Sequence, residues 1–350
     1  MVTSKIIDAD GHVAGDRGDD LAKFVPEPFA YKPFPPLDHL HSQNHITPPG
    51  SFVPAGATEW IDFLDDVGID STVLYPTGGL ACGKIKNRGW AIALMHAYND
   101  WLVETYLSKS PRLKGMALLP MQEPEAAVEE LRRAGTELGM CGAMLPSNGL
   151  KDHLGSKEYW PVYAEADRLG CCLGVHGGAH DGFGLDEMNV YAPVHALGHP
   201  LGLVVSFAGI LFNRIFDRYP NVRIGFLEGG VGWLPMALER FDRSHETHTQ
   251  VDPKDEMLLL PQDEKISDYA VGLMKAGRMF VGCEGNELTL ASTTKLLGSE
   301  SLMYSSDFPH EVNNDYCKHE IHEFLISEEF TEPEKKAILH GNAERFYGLT

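Results

Sequence analysis

Short apolar segments alternate with helical ones along most of the sequence, and this alternation restricts the fold more than any other feature. Eight segments have the apolar, β-branched character of buried strands: residues 4–9, 71–76, 113–120, 141–146, 171–175, 222–227, 279–283 and 302–305. Apolar periodicity between the strands predicts helices, among them residues 89–108, 204–216 and 333–346. This order predicts βαβ units and a parallel sheet. Eight units suggest a closed (β/α)8 barrel, and an open doubly wound sheet is the alternative.

Polar side chains that can bind a metal or carry a proton follow five of these segments: Asp10 and His12, His176, Glu228, Glu284 and Asp307. The outer strands of an open sheet lie too far apart to bring such groups together. In a barrel, the carboxyl ends of all strands converge on one axis, where active sites form. The sequence therefore predicts one α/β domain over residues 1–350, folded as a (β/α)8 barrel.

Asp10 and His12 form the most informative local pattern. Residues two apart in a strand point to the same side, so we expect both side chains to face one way. A carboxylate oxygen beside an imidazole nitrogen makes half of a divalent metal site. The alternative is that Asp10 caps a turn and His12 lies at the surface.

Residues 14–56 show no periodicity and are rich in Pro, Gly, Asp and His. Structureless segments of this length inside a compact domain are usually functional or disordered. We interpret this segment as a loop that folds over the mouth of a pocket. Its His39, His41 and His45 could bind a metal, although a polar loop is the favoured interpretation.

The formal net charge of the chain is −21. Such an excess of acid repels nucleic acid and anionic membranes and favours solubility, so neither is expected as a partner. Neither a signal peptide nor a membrane span is expected from the hydrophobic pattern. The six cysteines are scattered and form no C-x-x-C pair, which is typical of a reduced, cytoplasmic protein.

Five motifs, spread over nearly the whole chain, resemble one known family. They are Ile7-Asp8-Ala9-Asp10-Gly11-His12, Gly174-Val175-His176-Gly177-Gly178, residues 218–230 ending in Glu228-Gly229-Gly230, Tyr304-Ser305-Ser306-Asp307-Phe308-Pro309-His310, and residues 341–346. In this order they are similar to the amidohydrolase-2 branch of the amidohydrolase superfamily. Within that branch the chain resembles the aminocarboxymuconate-semialdehyde and γ-resorcylate decarboxylases.

The resemblance implies a distorted (β/α)8 barrel that holds one divalent metal ion. The family's first motif places two ligands two residues apart, and the matching positions are Asp10 and His12. His176 matches the ligand after strand 5, and Asp307 matches an aspartate that is both ligand and proton carrier. Two carboxylates and two imidazoles suit Zn, Mn or Fe(II) and do not choose among them.

Glu228 departs from the family pattern, which usually has a histidine at this position. A carboxylate cannot replace a cationic imidazolium. It could act as a base, as an acid if desolvated, or as an extra ligand, or it could hold a loop by hydrogen bonds. A related subgroup also has an acid where this chain has Gly15, with Asp16 next.

The resemblance and the site residues together indicate a function. The first hypothesis is a metal-dependent lyase that decarboxylates an aromatic or unsaturated carboxylic acid without oxidation, with Asp307 or Glu228 handling the proton. The alternative is a hydrolase that uses metal-bound hydroxide to cleave an amide, a lactone or an activated carbon–carbon bond. A third is a ligand-binding barrel that has lost its chemistry.

Further residues are weaker candidates for contacts with a small carboxylate or carbonyl substrate. These are His180, His195 and His199, expected on a loop after strand 5, and Glu284 at strand 7. His310 is expected to be structural. Because members of this family commonly assemble, we also expect a homo-oligomer.

Overall fold

The computed structural model describes residues 5–16, 18–30, 33–41, 49–248, 252, 254–261 and 263–349. Eight parallel strands pair with one another in chain order. They are β1 (Ile7–Val13), β2 (Ser71–Pro76), β3 (Leu113–Leu118), β4 (Gly142–Pro146), β5 (Cys172–His176), β6 (Arg223–Leu227), β7 (Met279–Cys283) and β8 (Leu302–Tyr304). All strand positions are buried except Ser71, Lys114 and Arg223, as expected for a sheet covered on both faces.

The segment that follows β8 joins the last strand to the first. The backbone N–H of Asp307 donates to the carbonyl oxygen of Asp10 at 3.0 Å, and that of His12 donates to Phe308 at 2.8 Å. This closes the sheet and confirms the (β/α)8 barrel over the open sheet.

Helices fill the connections between the strands. They are α1 (Asp19–Ala22), α2 (Ala57–Val67), α3 (Arg88–Leu102), α4 (Pro124–Thr136), α5 (Trp160–Leu169), α6 (Tyr191–Phe212), α7 (Ile215–Arg218), α8 (Trp233–His248), α9 (Ile266–Lys275), α10 (Leu290–Leu297), α11 (Asn314–Ile326), α12 (Glu332–Lys336) and α13 (Asn342–Tyr347). Within the described ranges, α6 alone has the length and composition that could cross a membrane, and half of its apolar window is buried inside the protein.

β1 is displaced toward the carboxyl end of the predicted strand 4–9. Asp10 and His12 therefore lie inside β1 and not just after it. The strand continues because His12 and Val13 pair with Tyr75 and Pro76 of β2, after a shift of register between Asp8 and Gly11. Polar side chains in a buried strand hide its true length from a reading of apolar residues.

α6 begins at Tyr191, well before the predicted start at residue 204. The early turns contain Pro193, Gly198 and Pro200, which are typical of loops. Packing overrides this propensity: a Cβ atom at Gly198 would lie 2.2 Å from Cδ2 of His180, so only glycine lets the helix approach this ring. His195 and His199 therefore stand on a helix, and the prediction of a loop was wrong for both.

Other helices differ in their ends and continuity. The predicted helix 89–108 is α3 followed by a π-helical turn, Val103–Leu107. The predicted helix 333–346 is divided into α12, a second π-helical turn and α13. α9 was not predicted at all, although its moderately apolar, regularly spaced residues could have indicated it.

The segment after β1 contains only the short helix α1 among its described residues. The backbone N–H of Phe52, in this segment, donates a hydrogen bond to the carbonyl oxygen of His310. The carbonyl oxygen of Ala55, also in this segment, accepts a hydrogen bond from the hydroxyl of Tyr106 at 2.9 Å. Leu37, His41 and Phe52 line a cavity above the barrel. The segment thus folds over the strand ends as expected, while His45 lies outside the described residues.

Candidate metal centre

Asp10 and His12 face the barrel axis from β1. The Nε2 atom of His12 lies 3.5 Å from Oδ1 of Asp10, and both side chains are buried. The other ring nitrogen of His12, Nδ1, lies 2.9 Å from the carbonyl oxygen of Pro76, to which it donates. This hydrogen bond fixes the tautomer and leaves the Nε2 lone pair free to bind a cation.

His176 ends β5 and completes a triad with these two residues. Its Nε2 atom lies 3.2 Å from Oδ2 of Asp10. Its Nδ1 atom donates to the carbonyl oxygen of Gly177 at 2.8 Å, which turns Nε2 toward the axis. One ligand atom from each of Asp10, His12 and His176 lies within 4.8 Å of the others.

Asp307 reaches the same place from the turn after β8. Its Oδ1 atom lies 3.4 Å from Nε2 of His12 and 2.7 Å from Nδ1 of His310. Asp307 has a φ of +56°, a left-handed conformation that is strained for a residue other than glycine. Strain of this kind persists where the surroundings fix the residue, as they do here.

Asp8 anchors the turn that carries Asp307. The wholly buried carboxylate of Asp8 accepts hydrogen bonds from Oγ1 of Thr72 at 2.6 Å and from Oγ and the backbone N–H of Ser306 at 2.9 and 2.8 Å. Burial raises the pKa of Asp8 to about 6, and the hydrogen bonds oppose the rise. β1 thus carries two residues of the site, Asp10 and His12, and its Asp8 also anchors the turn after β8 that carries Asp307.

Glu228 follows β6 and also has a positive φ, +58°. Its Oε2 atom lies 3.3 Å from Nδ1 of His176, 3.6 Å from Nδ1 of His199 and 4.0 Å from Nε2 of His12. Burial, followed by the charges of Asp307 and Asp10, raises the pKa of Glu228 well above its ordinary value. Burial and these negative charges favour the protonated form of the Glu228 carboxyl group, which can donate a hydrogen bond.

His310 supports Asp307 from the other side. Its Nε2 atom lies 2.9 Å from the hydroxyl of Thr77, and its ring stacks on that of His12 with centroids 4.1 Å apart. Burial opposes a positive charge on His310, but the adjacent Asp307 outweighs it and raises the pKa of His310. His12, Asp307 and His310 form a second group of atoms close enough to share a cation. His310 therefore belongs to the site and is more than the structural residue that we expected.

The donor set fits a divalent cation. Nε2 of His12 and Oε2 of Glu228 are two of several buried side-chain atoms that lack a hydrogen-bond partner in the described part of the chain, and these two lie at the point where the site residues meet. Orphaned buried polar atoms are rare and costly, and a bound ion would satisfy them. Burial and nearby imidazoles also lower the pKa of His12 well below its ordinary value, which keeps this ring neutral and able to coordinate.

A cavity of about 110 Å³ adjoins this cluster. It is lined by Leu37, His41, Phe52, Thr77, Leu80, Tyr191, His195, His199, Glu228, His310 and Glu311. His195 and His199 line the cavity, and the Nε2 atom of His195 lies 3.7 Å from Oε1 of Glu311. Their contact with a substrate stays a prediction. No local pattern indicates Tyr191 and Glu311 as cavity residues, because their placement depends on where α6 begins and on the turn after Asp307.

His180 and Glu284 lie at the edge of this region. His180 is fully buried and pairs with Asp38 instead of lining the cavity. The backbone N–H of Glu284 donates to Oε1 of Glu287, and burial together with the charge of Glu287 raises the pKa of Glu284 to about 7. A role for these two residues in substrate binding stays a prediction.

The loop histidines do not converge. His39 lies with Nε2 2.8 Å from the carbonyl oxygen of Met188, and His41 stands 3.7 Å from Asp38. Where the chain is described, no metal-binding group includes either of them. Asp16 follows Gly15, the position at which a related subgroup of the family has an acid. It accepts hydrogen bonds from the backbone N–H groups of Gly78 and Gly79, both at 2.9 Å. It therefore joins the loops after β1 and β2.

Fold and site together define a class: a (β/α)8 barrel with carboxylates and imidazoles gathered around one point at the carboxyl ends of its strands. The family comparison is more specific. The amidohydrolase family profile matches residues 7–349, and the chain belongs to the amidohydrolase family.

Two curated relatives are similar over most of their length. A γ-resorcylate decarboxylase of Rhodococcus jostii is 28% identical over 312 residues, which cover 83% of this chain and 86% of the relative. A 2-amino-3-carboxymuconate-6-semialdehyde decarboxylase of Dictyostelium discoideum is 26% identical over 259 residues, 74% of this chain and 67% of the relative.

Solved structures share the fold at lower identity. A dihydroxybenzoic acid decarboxylase from Polaromonas, with bound manganese and the inhibitor 2-nitroresorcinol, has a TM-score of 0.70 and 23% identity, with 99% of this chain and 97% of that chain covered. An amidohydrolase II structure has a TM-score of 0.73 and 21% identity, with 98% and 100% covered.

Proposed function

We propose that this protein is a metal-dependent, non-oxidative decarboxylase of an aromatic or unsaturated carboxylic acid. The observation that carries the proposal is the convergence of Asp10, His12, His176 and Asp307 on one buried point beside a cavity. The two curated relatives described above, both decarboxylases, support the choice of reaction.

Asp10, His12, His176 and Asp307 would hold the ion. When bound, the ion would orient and polarise the carboxylate of the substrate. The four side chains are compatible with Mn, Zn or Fe(II), and a relative of the same fold contains manganese. His12 and His176 each donate Nδ1 to a backbone carbonyl, so their Nε2 atoms are held ready for coordination.

The reaction adds one proton to the substrate carbon that bears the carboxylate. The bond between that carbon and the carboxylate carbon breaks, and carbon dioxide is released. Asp307 would pass this proton to the carbon after taking it from Nδ1 of His310, which lies 2.7 Å from Oδ1 of Asp307. Glu228, kept protonated by burial, would supply a hydrogen bond or a replacement proton from Oε2. The cavity walls would exclude water from the reacting carbon.

The test is a panel of hydroxybenzoates and muconate-like acids, assayed for carbon dioxide with Mn- or Zn-loaded protein beside esters, lactones and amides. Release of carbon dioxide that stops when the metal is chelated is the expected result. Turnover of the esters, lactones or amides alone would contradict decarboxylation and favour the hydrolase. Turnover of no compound, with no bound metal, would favour a barrel without catalytic function.

We also propose that the protein forms a homo-oligomer through the outer face of α6. This helix has no charged residue, and its Leu197 and Val205 remain 41% and 40% exposed. Two chains of charge −21 repel each other, so an uncharged face favours their contact. Sedimentation should show an assembly that the double substitution Leu197→Asp and Val205→Asp dissociates. A monomeric unsubstituted protein would contradict this.

A cytoplasmic location is proposed on the chemistry of the cysteines. All six are free thiols, and five of them are buried. A reducing compartment keeps such thiols intact. Fractionation of the source cells, with an antibody against the protein, should recover it with cytoplasmic markers, and recovery outside the cytoplasm would contradict the proposal.

A further inference from the structure

A buried carboxylate of the first loop faces the catalytic end of the barrel. Asp38 is 2% exposed. Its Oδ1 accepts from the backbone N–H of Leu40 at 2.7 Å, and its Oδ2 lies 3.2 Å from Nδ1 of His180 and 3.7 Å from Nδ1 of His41. Burial opposes the charge, but the hydrogen bonds outweigh it and lower the pKa of Asp38. Asp38 is therefore an ionised acceptor.

The partner of Asp38, His180, is held in one orientation. Nδ1 of His180 donates to the Asp38 carboxylate, and its backbone N–H donates to the carbonyl oxygen of Leu37 at 3.0 Å. The ring lies against the backbone of α6 at Gly198, where a Cβ atom would come within 2.2 Å. The hydrogen bonds to Asp38 and Leu37 and the packing against α6 at Gly198 therefore hold this wholly buried ring in one orientation.

His180 in turn packs against His199, which lines the cavity. The two rings meet edge to face, with centroids 4.4 Å apart and an interplanar angle of 76°. On its other side, Nδ1 of His199 lies over Gly177, where a Cβ atom would come within 1.9 Å. The same Nδ1 atom is 3.6 Å from Oε2 of Glu228. His199 therefore lies between Gly177 in the turn after β5, Glu228 and His180.

We infer that Asp38 and His180 are positioning residues that fix the ring of His199, so that its Nε2 atom hydrogen-bonds a hydroxyl group of the substrate. Because Nδ1 faces Glu228 and Gly177, Nε2 is the ring nitrogen left for a ligand. The inference rests on the proposed function, since the ligand is the substrate of that reaction.

A neutral imidazole suits a hydroxyl better than a second carboxylate. Burial and the neighbouring His180 and His195 lower the pKa of His199 well below its ordinary value, so it offers no positive charge. Glu311, at the same cavity, adds negative charge that would repel a second carboxylate. The cavity therefore favours a monocarboxylate whose ring also bears a hydroxyl.

The test measures binding and needs no turnover. Mn-loaded protein is titrated by calorimetry with 2-nitroresorcinol and with 2-nitrophenol, which lacks one hydroxyl. We expect the first to bind about 10-fold more tightly, the usual worth of one hydrogen bond. Asp38→Asn and His180→Asn should each abolish this preference while the bound manganese is retained. The control is Asp186→Asn. Asp186 is exposed and lies, like His180, between β5 and α6, so this variant should still bind 2-nitroresorcinol more tightly than 2-nitrophenol.

The two substitutions separate positioning from simple anchoring of the loop. His180→Asn keeps an amide donor near the place of Nδ1, so the loop stays tied to Asp38, but the ring that packs on His199 is lost. Retention of the preference in His180→Asn would overturn the inference, as would equal affinities for the two ligands in the unsubstituted protein. The proposed function fails separately, through the carbon dioxide assay.

Discussion

In the proposed mechanism, Asp307 has two tasks: it binds the metal ion and it delivers the proton. Its Oδ1 atom is shared between His12 and His310. Asp307→Asn keeps an oxygen for the metal but cannot exchange a proton. We expect kcat to fall at least about 100-fold, the usual size of a positioned proton transfer, while metal content changes little. Near-normal turnover would remove Asp307 from the mechanism.

Glu228 is the second residue on which the proposed chemistry depends. Because burial keeps it protonated, its substitution by an amide of the same shape removes the acid and preserves the packing. Glu228→Gln should lower kcat by about 100-fold with little change in bound metal. A variant that lost its metal instead, with turnover proportional to the metal left, would show that Glu228 is a ligand.

At the scale of elements, the first loop is tied to the barrel by buried carboxylates. Asp16 accepts from two backbone N–H groups of the loop after β2. Asp16→Ala leaves these buried donors unsatisfied, and we expect a loss of about 1–3 kcal/mol in the free energy of unfolding by urea. Asp20→Ala, at an exposed position of α1, should stay within about 0.5 kcal/mol, and equal effects would argue against this role.

A buried acid on α11 should make stability depend on pH. Burial and the charge of Glu284 raise the pKa of Glu320 from 4.5 to about 8. A carboxyl group that binds its proton more tightly when folded stabilises the fold at low pH, and this contribution is lost as the pH rises through about 8. Tm should therefore fall as the pH rises from 4.5 to about 8, and less so in Glu320→Gln. An equal fall of Tm with pH in the unsubstituted protein and in Glu320→Gln would contradict this prediction.

The strands could be predicted from the sequence because apolar, β-branched runs are local signals. The site could be predicted in part for the same reason, since Asp10, His12, His176, Glu228 and Asp307 all adjoin such runs. What was missed depends on contacts between distant segments. The early start of α6 relies on packing against His180, and Asp38 is buried by residues about 140 positions away that no local pattern reveals.

At the scale of the whole molecule, the proposed cation would link elements far apart in the chain: β1, β5 and the turn after β8. Ions that bind only the folded chain stabilise it by mass action, about 4 kcal/mol at 1,000 times Kd. Mn²⁺ at that excess should raise Tm by about 5 °C or more. The shift should disappear in His12→Ala. An equal shift in this variant would point to binding elsewhere.

The central claim is that one cation binds between Asp10, His12, His176 and Asp307. Anomalous diffraction from crystals of the Mn-loaded protein tests it most directly. We predict a single anomalous peak within coordination distance of these four side chains. A peak elsewhere, such as at His180, His195 and His199, or no peak at all under saturating manganese, would contradict the account.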